Sequence, residues 1–258
     1  MERIALGGTG IEVPRLAVGT GTNGWAGSSD QTRKGFDWLV EHLRLGYDLG
    51  AAFWDLADQY GSHPHAKEAL KGIDRSRVVI LTKTTAIEYD EARSALERFL
   101  RELGTDYIDI VLLHAKSSPD WNRSCRGAMD ALAEAKERGL VRAVGISCHS
   151  LSALKTAAEE QWLDVILVRL NYAGASMDAR PEEVIPVLRR MVEKGKGVLV
   201  MKVLGRGPLT GEPERAIKFV MELGCVHAMT IGHETHQQLR ENVRTIERIE
   251  REVRGCGG

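Results

Sequence analysis

A chain of 258 residues, 43% of them hydrophobic, can fill a sizeable core, as one large barrel or as two smaller domains. Its 35 basic residues nearly balance 36 acidic ones, and the resulting formal charge of −1 argues against a nucleic-acid partner or an anionic membrane surface. Four scattered cysteines (Cys125, Cys148, Cys225, Cys256) form no CxxC pair, which points to a reducing compartment rather than a disulfide framework or a thiolate metal site.

At the start, MERIALGG lacks the apolar core of a signal peptide, and no stretch reaches the ~18 apolar residues of a membrane helix, so a cytoplasmic protein is expected. IALGGTGIEV (4–13) carries glycines around a tight turn and predicts a short β-hairpin plugging the bottom of a barrel. Apolar runs rich in β-branched residues then recur: RLAVGT (15–20), AAFWDLA (51–57), VVILTK (78–83), IDIVLLH (108–114), VRAVGIS (141–147), VILVRLN (165–171), GVLVMKV (197–203) and HAMTIG (227–232). Most are continuous rather than alternating, the pattern of strands covered on both faces of a parallel sheet. Amphipathic helices lie between them. ALERFLRELG (95–104) is one; AMDALAEAKERGL (128–140) has Met129, Leu132, Ala133 and Leu140 at helical spacing, with Gly139 as a C-cap; EEVIPVLRRMVEKG (182–195) repeats the arrangement and ends at Gly195. Eight such units predict a single domain over residues 1–258, an α/β (β/α)8 TIM barrel with a short N-terminal β-hairpin. An open doubly wound sheet is the alternative, weakened because no GxGxxG follows the first strand. The chain ends in GCGG, and so few residues follow the last helix that no C-terminal flap over the barrel mouth is expected.

In a barrel, catalytic groups stand at the C-terminal strand ends, where the βα loops build the site. Strand two ends with Asp55 and leads to Tyr60, strand three ends with Lys83, and strand four with His114. Singly, an Asp there caps a turn, a Lys is a solvated tip and a His is a core residue. Three adjacent strand ends bearing titratable groups, with a tyrosine five positions past the first, make chemical sense together. Lys83 favours the phenolate of a tyrosine whose ordinary pKa is near 10, Asp55 is the counter-ion that keeps Lys83 charged, and His114 orients a carbonyl oxygen beside the phenol. His63-Pro-His65 and HETH (233–236) lack the spacing that puts two imidazoles on one helical face, so no metal is expected. Trp25 and Trp121, on loops of that face, are candidates for walls of a substrate pocket, with loop packing as the alternative.

LGGTGIEVPRLAVGT (6–20), DLADQYG (55–61), LTK (81–83) and LLH (112–114) resemble the aldo-keto reductases, whose catalytic tetrad they match in order and spacing; the resemblance runs over nearly the whole chain. It implies an NAD(P)H-dependent enzyme reducing a small aldehyde or ketone, with Tyr60 as general acid, Lys83 and Asp55 tuning it and His114 positioning the carbonyl. It further implies NADPH as cofactor, with NADH possible, contacted by Gly19, Thr20 and Asp55 and by residues of GISCHS (145–150), LVRLNY (167–172), MKVLGRG (201–207) and IGHETHQQLREN (231–242). Those residues are Ser147, Cys148, Arg169, Met201, Lys202, Leu204, Gly205, Arg206, Gly232, His233, Gln238, Glu241 and Asn242. Here Cys148 stands where the family often has Asn, Arg169 where Gln is common, and Met201 where an aromatic often stacks on the nicotinamide. Gly232, His233 and Gln238 fall where the family's 2′-phosphate cations stand; none is a fixed cation, so a modest NADPH preference is expected, growing as His233 protonates at lower pH. Two other readings stay open: a non-catalytic nucleotide-binding regulatory subunit on the same fold, and a lyase or isomerase using Lys83 as a Schiff-base nucleophile.

Overall fold

A computed structural model describes residues 1–255; Cys256, Gly257 and Gly258 lie outside the described residues. Its strands are β1 (Arg3–Ala5), β2 (Glu12–Pro14), β3 (Leu16–Gly19), β4 (Phe53–Asp55), β5 (Val79–Thr84), β6 (Ile108–Lys116), β7 (Val141–Cys148), β8 (Val165–Arg169), β9 (Gly197–Met201) and β10 (Ala228–Gly232). The helices are α1 (Asp30–Arg33), α2 (Phe36–Asp48), α3 (His63–Leu70), α4 (Tyr89–Leu103), α5 (Trp121–Ser124), α6 (Arg126–Glu137), α7 (Leu151–Glu159), α8 (Pro181–Glu193), α9 (Pro213–Glu222) and α10 (His236–Gly255). Strands β3 to β10 pair in parallel and in chain order, and β10 returns to β3 through Met229↔Leu16 to Gly232↔Gly19, closing the barrel. The apolar runs are therefore strands of a TIM barrel, and the open sheet is excluded.

β1 and β2 pair antiparallel in the register Arg3↔Pro14, and the hairpin they form buries Leu6, Ile11 and Val13 against Phe53, Val79, Ile110 and Val165 inside the barrel. This is the bottom plug. Gly7 fits because it sits at φ 55°, with the Gly195 carbonyl where a Cβ would stand. Helix α4 shows how the outer layer forms. Glu88 and Glu91 cap its first turn reciprocally, so it begins at Tyr89, six residues before the apolar pattern marks it; Gly104, left-handed at φ 66°, ends it. Ala92, Leu96, Phe99 and Leu103 form its buried stripe, and truncating a buried Phe such as Phe99 to Ala costs about 3–5 kcal/mol. No described helix is long and apolar enough to cross a membrane.

The lumen is what places the site. Side chains alternate across a strand, so two residues beyond a lumen-facing one faces the lumen again. Phe53, Leu81, Leu112 and Leu167 belong to the inner apolar cluster. Two positions on, at the C-terminal rim, stand Asp55, Lys83, His114 and Arg169.

Candidate active site

Lys83 is fully enclosed, pairs with the Asp55 carboxylate and donates to the Leu56 carbonyl at 2.9 Å. Burial disfavours its charge, but Asp55 and Tyr60 outweigh burial and hold the ammonium above its ordinary pKa. The Tyr60 hydroxyl is 3.4 Å from His114 Nε2, and its ring lies 4.9 Å from the Lys83 ammonium. Burial raises the Tyr60 phenol above its usual range; Lys83 opposes burial, and Asp55 adds to it. His114 is pushed down to about 2, first by burial and then by Lys83, His149, Lys116 and Lys202, so its imidazole is neutral. Its Nδ1 is buried without a partner. Trp25, 58% exposed, stands over this group with its ring 6.0 Å from that of His114.

Tyr60 sits on a single 3-10 turn, Asp58–Tyr60, closed by Gly61 in the left-handed region at φ 66°. The loop after β3 presses on its ring: a Cβ on Gly21 would overlap Cε2 and Cζ, and one on Gly24 would overlap Cδ1. These glycines carry none of the chemistry and are invisible to a reading of titratable groups; the short spacing GTGTNG (19–24) was their signal. Gln31 ties the same loop to the end of β10 through Thr22 Oγ1 at 3.0 Å and the His233 carbonyl at 3.2 Å. Thr20 turns away from the mouth, fully buried between the Asp55 carbonyl at 2.9 Å and Ser62 Oγ at 3.0 Å. Gly19 packs on the β10 backbone, where a Cβ would crowd Ile231 and Gly232.

The opposite arc of the rim is built differently. Ser147 Oγ accepts from the Ala115 N–H at 2.8 Å, and Cys148 Sγ donates to the Ser150 carbonyl at 3.2 Å; burial pushes that thiol up to about 12. Arg169 donates to Asp178 Oδ1 at 2.7 Å and to His149 Nδ1 at 3.0 Å, while its Nε is buried without a partner. His149, which the strand-end reading missed, is held down to about 4 by burial and Arg169. Met201 ends β9, and Lys202 follows at φ 61° with its ammonium lowered to about 8 by burial, Arg206 and Arg169. Leu204 is partly buried; Gly205 and Arg206 have φ of 60° and 62°, and Arg206 donates to Asn23 Oδ1 in the loop after β3. Gly232, which ends β10, is exposed; beyond it Gln238 Oε1 accepts from the Glu234 N–H at 2.7 Å, and Glu241 accepts from Gln237 at 2.8 Å. Asn242 bonds His233 Nε2 at 3.2 Å.

Two expectations fail on burial. Trp121 is 1% exposed, donates its indole N–H to the Ala153 carbonyl at 3.2 Å and packs toward Trp162, so it belongs to the helical layer and lines no pocket. Its polar edge found a carbonyl, which lets the tryptophan at the start of α5 sink. His233 is enclosed beside His42, and burial pushes it down to about 3; it is therefore neutral at working pH rather than partly charged. His63 and His65 do not converge on a shared ligand either: His63 is taken by Glu102 and Thr82, and His65 packs on Phe36. Among the described residues, His, Cys, Asp and Glu side chains form no group of three that could hold a metal ion.

Known proteins agree with this architecture. The chain is 28% identical over 229 residues to aldo-keto reductase YhdN of Bacillus subtilis, which covers 82% of this chain and 65% of the relative. It is 27% identical over 238 residues to the NADH-specific methylglyoxal reductase of Escherichia coli, covering 82% and 70%. The chain thus spans about two thirds of the length of these curated relatives. A solved Pseudomonas aeruginosa protein assigned to the aldo-keto reductases superposes with a TM-score of 0.79 at 26% identity, over 96% of this chain and 95% of that one. The profile of the Aldo/keto reductase family matches residues 15–251, and with nearly the whole chain accounted for, the protein belongs to that family.

Proposed function

We propose that the chain acts as one catalytic domain that reduces a small aldehyde or ketone to an alcohol with NADPH or NADH, using Tyr60 as the general acid. The observation that carries this reading is the Tyr60 hydroxyl 3.4 Å from a neutral His114, beside the paired Lys83 ammonium. A carbonyl oxygen seated between the two accepts a hydrogen bond from the imidazole and the proton from the phenol. Neutrality of His114 matters, because an imidazolium would compete as the acid and repel Lys83. Once its proton has left, Tyr60 is a phenolate in a site that disfavours its charge, and Lys83 stabilises it; Asp55 keeps Lys83 in place and charged.

A nicotinamide, when bound, would supply the hydride for the carbonyl carbon. The residues present fit a dinucleotide. Arg169 offers a buried Nε donor without a partner at the end of β8, where Gln is common in the family. Lys202 and Arg206 add positive charge, and the first turn of α10 carries no acid against a phosphate. Ser147, Cys148, Met201, Leu204, Gly205, Gln238, Glu241 and Asn242 complete the proposed cradle; the inward turn of Thr20 limits that residue to a supporting part. With Gly232, neutral His233 and capping Gln238 at the 2′-phosphate positions, discrimination between the nucleotides is modest; the NADH-specific name of the Escherichia coli relative supports competence with NADH. Trp25 serves as the apolar wall of the substrate pocket. The described cysteines are free and buried, which supports a reducing, cytoplasmic setting.

Loss of nicotinamide absorbance with methylglyoxal and a panel of aldehydes, ketones and sugars, run with each nucleotide, tests the reading. Turnover with at least one carbonyl supports it. No turnover on any, with both nucleotides shown to bind, would point to the non-catalytic alternative.

A further inference from the structure

Tyr60 reaches His114 from an irregular segment rather than from a strand. The turn Asp58–Tyr60 is three residues long, and its N-cap Ala57 has no side-chain hydrogen bond to give. Such short 3-10 pieces have weak hydrogen bonding of their own and take their position from their surroundings. On the lumen side, Gly21 and Gly24 press the ring, and the Gly27 N–H donates to the Gln59 carbonyl at 2.9 Å. The other support lies outside the barrel.

There, Arg98 of α4 donates through Nη1 to Asp58 Oδ1 and through Nη2 to Asp58 Oδ2, both at 2.8 Å, a planar fork on a carboxylate. Arg98 Nη1 also reaches Glu102 Oε1 at 2.9 Å, one helical turn along. Glu102 Oε2 bonds His63 Nδ1 at 2.7 Å, and His63 Nε2 bonds Thr82 Oγ1 at 2.7 Å. His63 opens α3 three residues after Tyr60, and Thr82 precedes Lys83 on β5. The contacts therefore grip the chain on both sides of Tyr60 and fasten it to the strand that carries its cation. The His63 hydrogen bond, with Arg98, holds the Glu102 carboxyl down to about 2 against burial, so Glu102 stays a carboxylate at any working pH.

We infer that Arg98, acting through Asp58 and through Glu102 and His63, is a positioning residue that sets the Tyr60 phenol against Lys83 and His114. The inference rests on the reading of Tyr60 as general acid and adds a part that spacing at the strand ends does not reveal. The Asp58 and Arg98 side chains are 23% and 40% exposed, and pairs so exposed add little to global stability. What the pair fixes is direction. A reacting group misplaced by about 1 Å can lose about 10²-fold in rate.

The test uses the full-length enzyme and its Arg98→Met, Arg98→Lys and Asp58→Asn variants. For Arg98→Met the expected result is a kcat reduced about 10- to 100-fold, with KM, nucleotide affinity and unfolding midpoint nearly unchanged, and partial recovery in Arg98→Lys. Amide hydrogen exchange should rise over residues 57–62 and stay unchanged in the barrel strands. The Tyr60 phenol, titrated as the difference between each protein and its Tyr60→Phe counterpart, should drop toward its ordinary value of about 10 as water enters. If the wild-type enzyme reduces no carbonyl, the proposed function falls, while exchange and phenol titration still decide the brace. Wild-type exchange over residues 57–62 in Arg98→Met would overturn the inference. So would a general loss of protection or folding in both Arg98→Met and Asp58→Asn, which would mark a structural role.

Discussion

The two arcs of the barrel rim obey different rules. Along β4 to β6, the polar groups face one another: Lys83 pairs with Asp55, Tyr60 meets His114, and burial followed by Lys83 leads the causes that displace both the Tyr60 and the His114 pKa. From β7 to β10, the groups turn into the scaffold, with Ser147 on a backbone N–H, Cys148 on a carbonyl, Arg169 on Asp178 and His233 on Asn242. In the proposed function the first arc is the proton-transfer site, with the carbonyl oxygen received between phenol and imidazole. The second is a shaped surface with a few donors held in reserve, chiefly Arg169 Nε and the Lys202 ammonium. Chemistry concentrates where titratable groups shift one another, and binding where the scaffold has fixed them already.

Substitutions on the first arc should have the largest effects. Tyr60→Phe removes the proton donor and should lower kcat about 10²–10⁴-fold with nucleotide affinity unchanged, read by steady-state rates and a fluorescence titration. Retention of more than about a tenth of wild-type kcat would remove the contrast between the arcs. Gly21→Ala places a methyl into the Tyr60 ring and should lower kcat by about 10-fold or more, because the neighbouring ring must move. An equal loss for Gly27→Ala, whose position is open to solvent, would show that loop stiffness rather than the ring contact is at work.

On the second arc the effects are smaller and concern stability and binding. His42 and His233 lie against each other and are both held near 3, first by burial, with the imidazoles and Lys34 adding positive charge around His42. In the unfolded chain they titrate near ~6.5, so the unfolded state takes up protons first as pH falls. The stability these groups allow is complete above pH ~6.5, is lost as pH falls toward about 3, and changes no further below it. A thermal-unfolding series from neutral to acid pH should show this fall, and His42→Leu should shallow it; an identical slope in the variant would assign the acid sensitivity elsewhere. The smallest effect concerns the nucleotides. With His233 neutral, the NADPH-to-NADH affinity ratio should be modest and flat between pH 8 and pH 5, whereas a rise on acidification would mean that His233 is reached by water.

How legible each arc was in the sequence follows from the same difference. Asp55, Lys83 and His114 lie two positions beyond lumen-facing Phe53, Leu81 and Leu112, and the alternation of a strand fixes their direction once the strand is recognised. The barrel itself was legible for that reason, in eight apolar runs. Burial was not. His233 is a titratable residue in the sequence, but only packing against His42 makes it neutral, and Trp121 looked like a pocket wall until its N–H found the Ala153 carbonyl. The Arg98 fork joins residues forty positions apart, which no local pattern announces. Helix α4 extended past its apolar stripe because polar Glu88 and Glu91 cap it, a signal that periodicity alone passes over.

In the proposed mechanism Lys83 governs the Tyr60 phenol, and the pH dependence of kcat in wild type and Lys83→Met tests that directly. Burial raises the phenol pKa and the Lys83 cation opposes it, so removing the cation should slow the reaction and move the apparent pKa of the catalytic acid upward. A Lys83→Met enzyme that is slower yet keeps the wild-type pH profile would contradict the account, leaving Lys83 to position substrate or nucleotide and Tyr60 without its cation.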